Sequence, residues 1–369
     1  MCRLTQAAPE DSQPLPESVL HCGLRMKKPE RAWTAGLALA ATGALALARR
    51  AKRFDLRGRV AVVTGGSRGL GLVLARELSG RGARIVLVAR DGEELERARM
   101  SLRDDRSLNA EVLALGCDVS DRRSVQDAMK QAEAWHGRID VLVNVAGVIM
   151  VGPLQADDDS DFERAMAINF WGPYNMVRAV APRMRRLGGG RIVNVASIGG
   201  IVAVPHLAPY SASKRAVAGL SEALHSELAG DGIVVTTVFP GLMRTGSGRA
   251  AELTGDARSE NAWFRASSVM PLISMPAERA AARIVRALER GEAHVVLGAP
   301  AKLLALAHGI APNLVAWAMT IATRLLPSAP LAEDIHTGST SGAHFDAPTP
   351  WLRQRDDQYA AANNEPSAP

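Results

Sequence analysis

Aromatic side chains make up only 4% of the 369 residues. With so few rings, and no nucleic-acid motif beside its basic clusters, the chain lacks the stacking surface of a nucleic-acid reader. Cysteine is rarer still. Cys2, Cys22 and Cys117 are scattered, which gives neither a disulfide framework nor a metal-ligand spacing. Cys117 ends an apolar run and reads as a buried thiol in a reducing, cytoplasmic setting. No metal site is expected, because His136, His206, His225 and His294 stand at no ligand spacing either. Repeats of solenoid period are also missing.

What the chain does have is aliphatic bulk. Hydrophobic residues account for 47% of it, mostly Ala, Val and Leu, enough to bury a sizeable α/β core. The net charge of +6 is carried largely by clusters near 25–31 and 49–59. These read as membrane-flanking or solvated charge.

The ends differ from the middle. Residues 1–31, with Pro9, Pro14 and Pro16 among polar residues, read as disordered. Residues 32–48 are apolar and uncharged, with basic residues on both sides. Three readings stay open for them: a short membrane anchor, a secretory signal, or a soluble Ala-rich helix. Residues 301–326 are apolar again but broken by Gly309 and Pro312. That pattern fits two amphipathic helices lying on the domain, on a partner or on a membrane surface. The tail 327–369 is polar and Pro-rich and reads as disordered.

Between residues 55 and 300 short β-branched runs alternate with helical patterns. Strands are expected at Val60–Thr64, Ile85–Ala89, Val112–Cys117, Val141–Asn144, Ile192–Ala196, Val234–Phe239 and His294–Leu297. Helices are expected near 69–81, 92–104, 122–136, 160–187, 211–229 and 277–290. Apolar runs without polar alternation are strands buried on both faces. The fold class is therefore α/β: a single Rossmann-like, doubly wound parallel sheet with helices on both faces, plus the apolar helical extension.

The first strand runs into Gly65-Gly66-Ser67-Arg68-Gly69-Leu70-Gly71, and a helix follows at once. Glycines there permit a tight turn and close approach to a pyrophosphate, and the helix N-terminus favours anions. Alone, such a triad is a weak signal; its place at the head of a βαβ unit makes it strong. Dinucleotide sites that prefer NAD hold the ribose with an acidic residue about 20 positions on. Here the second strand ends in Arg90, and Arg68 sits in the turn. Two guanidinium groups favour a 2′-phosphate, hence NADP(H), with Asp91 close by as a counter-indication.

Tyr210 and Lys214 stand four apart near a helix start, on one face. An ammonium beside a phenol lowers the phenol's pKa and fits it for proton transfer. Ser197 ends the preceding strand, at the ligand-binding edge of a parallel sheet. Each of the three has a blander reading as a surface pair or a strand cap. Asp157–Asp159 with Asp161 reads as helix capping, and Trp171 as helix packing.

Taken together, the glycine turn, Cys117-Asp118-Val119, Asn144-Val145-Ala146-Gly147, Asn169, Ser197, Tyr210, Lys214 and Pro240-Gly241 resemble the short-chain dehydrogenase/reductase family in order and spacing, over about residues 55–300. The resemblance implies hydride transfer between NADP(H) and a small-molecule carbonyl/alcohol pair, in a homodimer or homotetramer. It implies Tyr210 as general acid/base, Ser197 on the substrate oxygen, and Lys214 on Tyr210 and the nicotinamide ribose. Asn169 would hold a relay water. Asp118 and Val119 would border adenine, Asn144, Ala146 and Gly147 would line the adenosine side and brace the sheet, and Pro240, Gly241 and Thr245 would contact the nicotinamide end. Val145 departs from the family's second Asn. The segment 242–275 is expected to form a substrate lid, with weak signs of an apolar substrate. Two other readings remain: a catalytically idle NADP(H)-binding sensor or scaffold tethered to a membrane, and a methyltransferase-type Rossmann domain.

Overall fold

The computed structural model describes residues 53–327, 336–337 and 350–365. The expected disordered N-terminus and the candidate anchor at 32–48 lie outside the described residues.

Val60–Thr64 (β1) is buried along its whole length. Successive side chains of a strand point to opposite faces. Ala61 and Val63 accordingly enter one core and Val60 and Val62 another. After Gly69–Ser79 (α1), Arg84–Ala89 (β2) divides the same way, with Ile85 and Leu87 on one side and Val86 and Val88 on the other. Such strands need helices on both faces. The chain supplies them in Gly92–Asp104 (α2), Val112–Gly116 (β3), Arg122–His136 (α3), Val141–Asn144 (β4) and the short Met150–Val151 (β5).

Asp159–Met166 (α4) follows, then a π turn at Ala167–Trp171, then Gly172–Arg186 (α5). One continuous helix over 160–187 is therefore corrected. Pro173 has no N–H and crowds the carbonyl four residues back, which belongs to Asn169. The helix widens there, and the Gly172 N–H reaches back five residues to the Ala167 carbonyl. Trp171 is turned out by the widening. It is 50% exposed, edge-on to Phe170 and Tyr174, rather than packed as expected.

The remaining elements are Gly190–Val195 (β6), Ala208–Glu227 (α6), Ile233–Pro240 (β7), Leu242–Arg244 (β8), Glu252–Leu253 (β9), Ala257–Val269 (α7), Ser274–Pro276 (β10), Ala277–Arg290 (α8) and His294–Leu297 (β11). The seven long strands form one parallel sheet in the order β11-β7-β6-β4-β1-β2-β3. Strand order reverses between β1 and β4, and a crevice opens beyond their carboxyl ends at such a reversal. The acidic run divides in two. Asp158 and Asp161 form a capping box at α4, as expected. Asp157 instead is turned inward, accepts from the Thr254 hydroxyl, and is pushed up to about 6 by burial.

Ala299–Ile310 (α9) and Pro312–Thr323 (α10) are the two helices expected in the C-terminal extension. Their apolar faces are largely uncovered. Leu303, Leu306, Ile310, Leu314 and Trp317 are exposed, while Ala301 and Val315 are buried. Among the described residues no helix is long and apolar enough to cross a membrane. His336–Thr337 (β12) pairs with β9. The disordered tail is corrected over its last part. Pro350–Ala362 (α11) is a helix that buries Leu352, Asp356 and Ala360. Leu352 packs with Val269, and Arg249 and Arg265 both pair with Asp356. Composition describes the exposed face of this helix and misses the one buried stripe.

Candidate active site

The β1–α1 turn is built on glycine. Gly65 and Gly69 have φ of +64° and +54°, a region that disfavours side chains, and a Cβ at Gly71 would lie 2.0 Å from the Gly65 carbonyl oxygen. The turn also touches the loop after β4, where a Cβ on Gly65 would meet the backbone of Ala146 at 2.9 Å. Thr64 fixes that contact: its hydroxyl oxygen accepts from the amides of Val145 and Ala146 at 3.1 and 3.2 Å. The backbone at Val145 is thus held although the family's Asn is missing. A dinucleotide pyrophosphate fits this arrangement, since the cradle is one that side chains would fill and it opens on a helix N-terminus.

From this turn a cavity of about 940 Å³ runs along the carboxyl ends of the strands. Ser67, Leu70, Arg90, Asp118 and Val119 line one end; Ala146, Gly147, Ser197, Tyr210 and Lys214 line the middle; Pro240, Gly241 and Thr245 line the β7 side. Two predicted site residues lie elsewhere. Asn144 is buried in the sheet, which it braces as expected, but it does not border the cavity, which corrects its placing on the adenosine side. Its amide donates to Asn194 Oδ1 at 2.8 Å, Asn194 donates to Ser221, and Thr237 donates to Ser221 as well. That ladder ties β4, β6 and β7 to α6. Asn169 is fully buried behind the cavity. Its Oδ1 accepts from Val148 N, and its amide donates to Val148 O and Ser213 Oγ, each at 3.0 Å.

Ser197 follows β6, Tyr210 and Lys214 share one face of α6, and all three border the same stretch of cavity. Lys214 is buried, and Nζ donates to the Val195 carbonyl at 3.1 Å. Burial pushes the ammonium down to about 8. Burial also pushes the Tyr210 phenol up, against a hydrogen bond from Ser197 that lowers it. Lys214 is not among the groups that shift the phenol, so the expected lowering of Tyr210 by the ammonium is not borne out.

Charges at the glycine turn are shared in a way the sequence did not suggest. Glu94, on α2, accepts from the Ser67 hydroxyl and pairs with Arg68 at 3.3 Å. Asp91 is engaged as the cap of α2, accepting from Glu94 N at 2.8 Å. Arg90 is exposed at the rim. Glu365, from the segment after α11, also lines the cavity, 3.6 Å from Arg68 Nε. No periodicity or spacing links residue 365 to residue 68; the signal for Glu94 was its place in the first turn of α2. At the far end Ile149, Leu207, Trp263, Phe264, Ile273 and Leu304 supply apolar walls. The expected lid segment 242–275 pointed at Trp263, Phe264 and Ile273 but not at Ile149, Leu207 and Leu304. The histidines serve structure: His206 pairs with Glu260 at 2.7 Å, and His294 stacks on Phe239.

Comparison with known proteins agrees with this geometry. Residues 59–254 match the short chain dehydrogenase family model. A D-threitol dehydrogenase of Mycolicibacterium smegmatis is 39% identical over 198 residues, 54% of this chain and 75% of that one. A short-chain dehydrogenase of Streptomyces avermitilis superposes with a TM-score of 0.62 at 29% identity, covering 72% of this chain and 98% of that one. The L-sorbose reductase of Gluconobacter frateurii, solved with NADPH and L-sorbose, gives 0.58 at 26% identity, covering 66% and 97%. A family model spanning more than half the chain, a glycine cradle at the strand-order reversal, and Ser197, Tyr210 and Lys214 on one cavity wall have one common explanation: the chain belongs to the short-chain dehydrogenase/reductase family of oxidoreductases.

Proposed function

We propose that the protein is an NADP(H)-dependent oxidoreductase that interconverts an apolar ketone or aldehyde with its alcohol. The observation that carries this reading is a single cavity with two unlike ends. One is a phosphate-type cradle beside Arg68 and Arg90, and the other is an apolar chamber against which Ser197 and Tyr210 are set. When bound, the nicotinamide supplies or accepts the hydride at the substrate carbon.

The protein's own side chains handle the proton. In the reducing direction the Tyr210 hydroxyl donates to the substrate oxygen, and the Ser197 hydroxyl orients that oxygen by a second hydrogen bond. Donors aimed at a developing oxyanion in a water-poor site are worth more than in water. The buried Lys214 ammonium favours the phenolate left behind. It also suits the nicotinamide ribose, which needs a donor at this depth. Asn169 supports Ser213 and the Val148 loop behind this wall.

Preference for NADP(H) is supported by the two arginines at the cradle; Asp91 borders the same cavity, with its Oδ1 engaged as the cap of α2. An apolar substrate is supported by Trp263, Phe264, Ile149, Leu207 and Leu304. The polyol and the ketose sugar in the names of the D-threitol dehydrogenase and the L-sorbose reductase would find few side-chain partners there. The apolar surface also continues outward. Leu304 faces the cavity while Leu303 and Leu306 of the same helix are exposed, which suits a substrate arriving from a lipid surface. The test is a screen following NADPH absorbance, with NADPH supplied for alkyl ketones, cyclic ketones and ketose sugars and NADP+ supplied for polyols in parallel. Apolar ketones should be turned over and polyols poorly; the reverse order would overturn the substrate class, and no turnover of any carbonyl would favour the idle cofactor-binding reading.

A further inference from the structure

The end of the chain lies across the glycine turn. Gly69 N, at the first position of α1, donates to the Asn363 carbonyl at 2.8 Å. The Asn364 amide donates to Ser67 O at 2.8 Å and to Glu94 O at 3.1 Å. Glu365 follows, and its carboxylate is so close above the turn that a Cβ on Gly69 would lie 2.7 Å from Oε1. Oε2 has no hydrogen-bond partner and sits 3.6 Å from Arg68 Nε.

This contact is built rather than incidental. Asn363 is buried and also donates to Thr245 O at 3.2 Å. Arg76 on α1 donates to Ala362 O at 3.1 Å. The α11 helix behind it is held to the lid segment by Asp356, which takes both Arg249 and Arg265, and by close packing of Ala360 on Gly246. One strap thus joins the lid to the cradle.

Its chemistry opposes the ligand the cradle is shaped for. A helix N-terminus and an arginine attract anions, and here the Asn363 carbonyl takes the first N–H while the Glu365 carboxylate stands beside the arginine. A cofactor phosphate brought to the same place would meet Glu365 and Glu94 around one guanidinium. Burial pushes Glu365 up to about 7, with Arg68 and Arg249 pulling it down and Glu94 and Asp356 pushing it up. A carboxyl so placed is costly to keep charged, and costlier beside a phosphate.

We propose that residues 350–365 form an autoinhibitory strap, docked over the phosphate end of the cofactor site and displaced when the dinucleotide binds. The proposal rests on the reading that this cavity takes a nicotinamide dinucleotide. Strap and cofactor then compete, and apparent cofactor affinity falls by the fraction of molecules with the strap released.

The experiment measures NADPH and NADH binding by calorimetry for three proteins: the full chain, the chain lacking residues 350–369, and full-length Glu365→Gln. The truncated chain should bind NADPH at least tenfold more tightly than the full chain, with Glu365→Gln between them. A synthetic 350–369 peptide should weaken NADPH binding to the truncated chain competitively. Trypsin should cut the full chain at Arg353 and Arg355 faster once NADPH is added. Equal or weaker binding by the truncated chain would show that the tail is neutral or completes the site, and would overturn the strap. Truncation removes Asp356 from two buried arginines. If that protein does not fold, Glu365→Gln decides, and an affinity equal to the full chain's overturns the proposal. If no protein binds either dinucleotide, the cofactor reading falls and takes the strap with it, a result distinct from equal binding by all three.

Discussion

The ammonium nitrogen of Lys214 lies 5.7 Å from the centre of the Tyr210 ring and donates to the Val195 carbonyl. With Lys214 pushed down to about 8 and Tyr210 pushed up by burial, the group that titrates first as pH rises is the lysine. In the proposed mechanism, carbonyl reduction uses the Tyr210 proton and a charged Lys214 beside it. The kcat/KM for reduction, which reports the free enzyme, is therefore expected to fall as pH rises through about 8. Lys214→Arg, which keeps its charge, should move that falling limb upward even if it lowers the rate. A limb that stays near 8 in the arginine variant would assign it to another group.

Tyr210→Phe removes the proposed proton donor and little else. The expected loss is about 10²–10⁴-fold in kcat, the usual weight of a positioned general acid. NADPH affinity should be retained, because the ring still fills its place. Full carbonyl reductase activity in this variant would sink the proposed mechanism.

Cofactor preference gives a third prediction. Charge-assisted hydrogen bonds to a phosphate are worth roughly 1.5–3 kcal/mol each, and about 1.4 kcal/mol is tenfold in affinity. Arg68→Ala with Arg90→Ala should thus weaken NADPH binding by more than tenfold and change NADH binding little. Titration of both dinucleotides against both proteins checks it, and equal losses for the two would remove the arginines from the preference.

The sheet and its helices were legible because every long strand announces itself. Val60–Val63 and Ile85–Val88 are uninterrupted apolar runs, and only burial on both faces accounts for such runs. Ser197, Tyr210 and Lys214 were legible because strand ends and helical spacing bring them together at one edge. What stayed hidden depends on long-range partners. The π turn follows from Pro173 acting on the carbonyl of Asn169, a local cause that hydrophobic periodicity does not register. Glu365 meets Arg68 across nearly 300 residues of chain, and Asp356 meets Arg249 and Arg265 across about 100. In α11 a single buried stripe of Leu352, Asp356 and Ala360 is too narrow for composition to report. Asn144 was half legible: its side chain braces the sheet as the resemblance implies, but does not reach the cavity.

Asp140 anchors the opposite end of the sheet and gives a stability prediction independent of the site. Its buried carboxylate accepts from Arg59 at 2.9 Å, from the Val60 amide at 3.0 Å and from Arg138 Nε at 2.7 Å. Burial alone would raise its pKa, but the hydrogen bonds from Arg138, the Val60 amide and Arg59 outweigh it and hold the group below its ordinary 3.8. A carboxylate whose folded value is depressed adds stability that is present above its unfolded value and lost as pH falls through the folded one. Removing one member of a buried pair costs about 3–5 kcal/mol; here both arginines are about a third exposed, so about 2–3 kcal/mol is expected for Asp140→Asn. Thermal melts should show the variant several degrees lower at neutral pH. The gap between variant and parent should hold down to about pH 4 and close below it, while a gap constant into strong acid would mean that packing at this position, and not its charge, carries the stability.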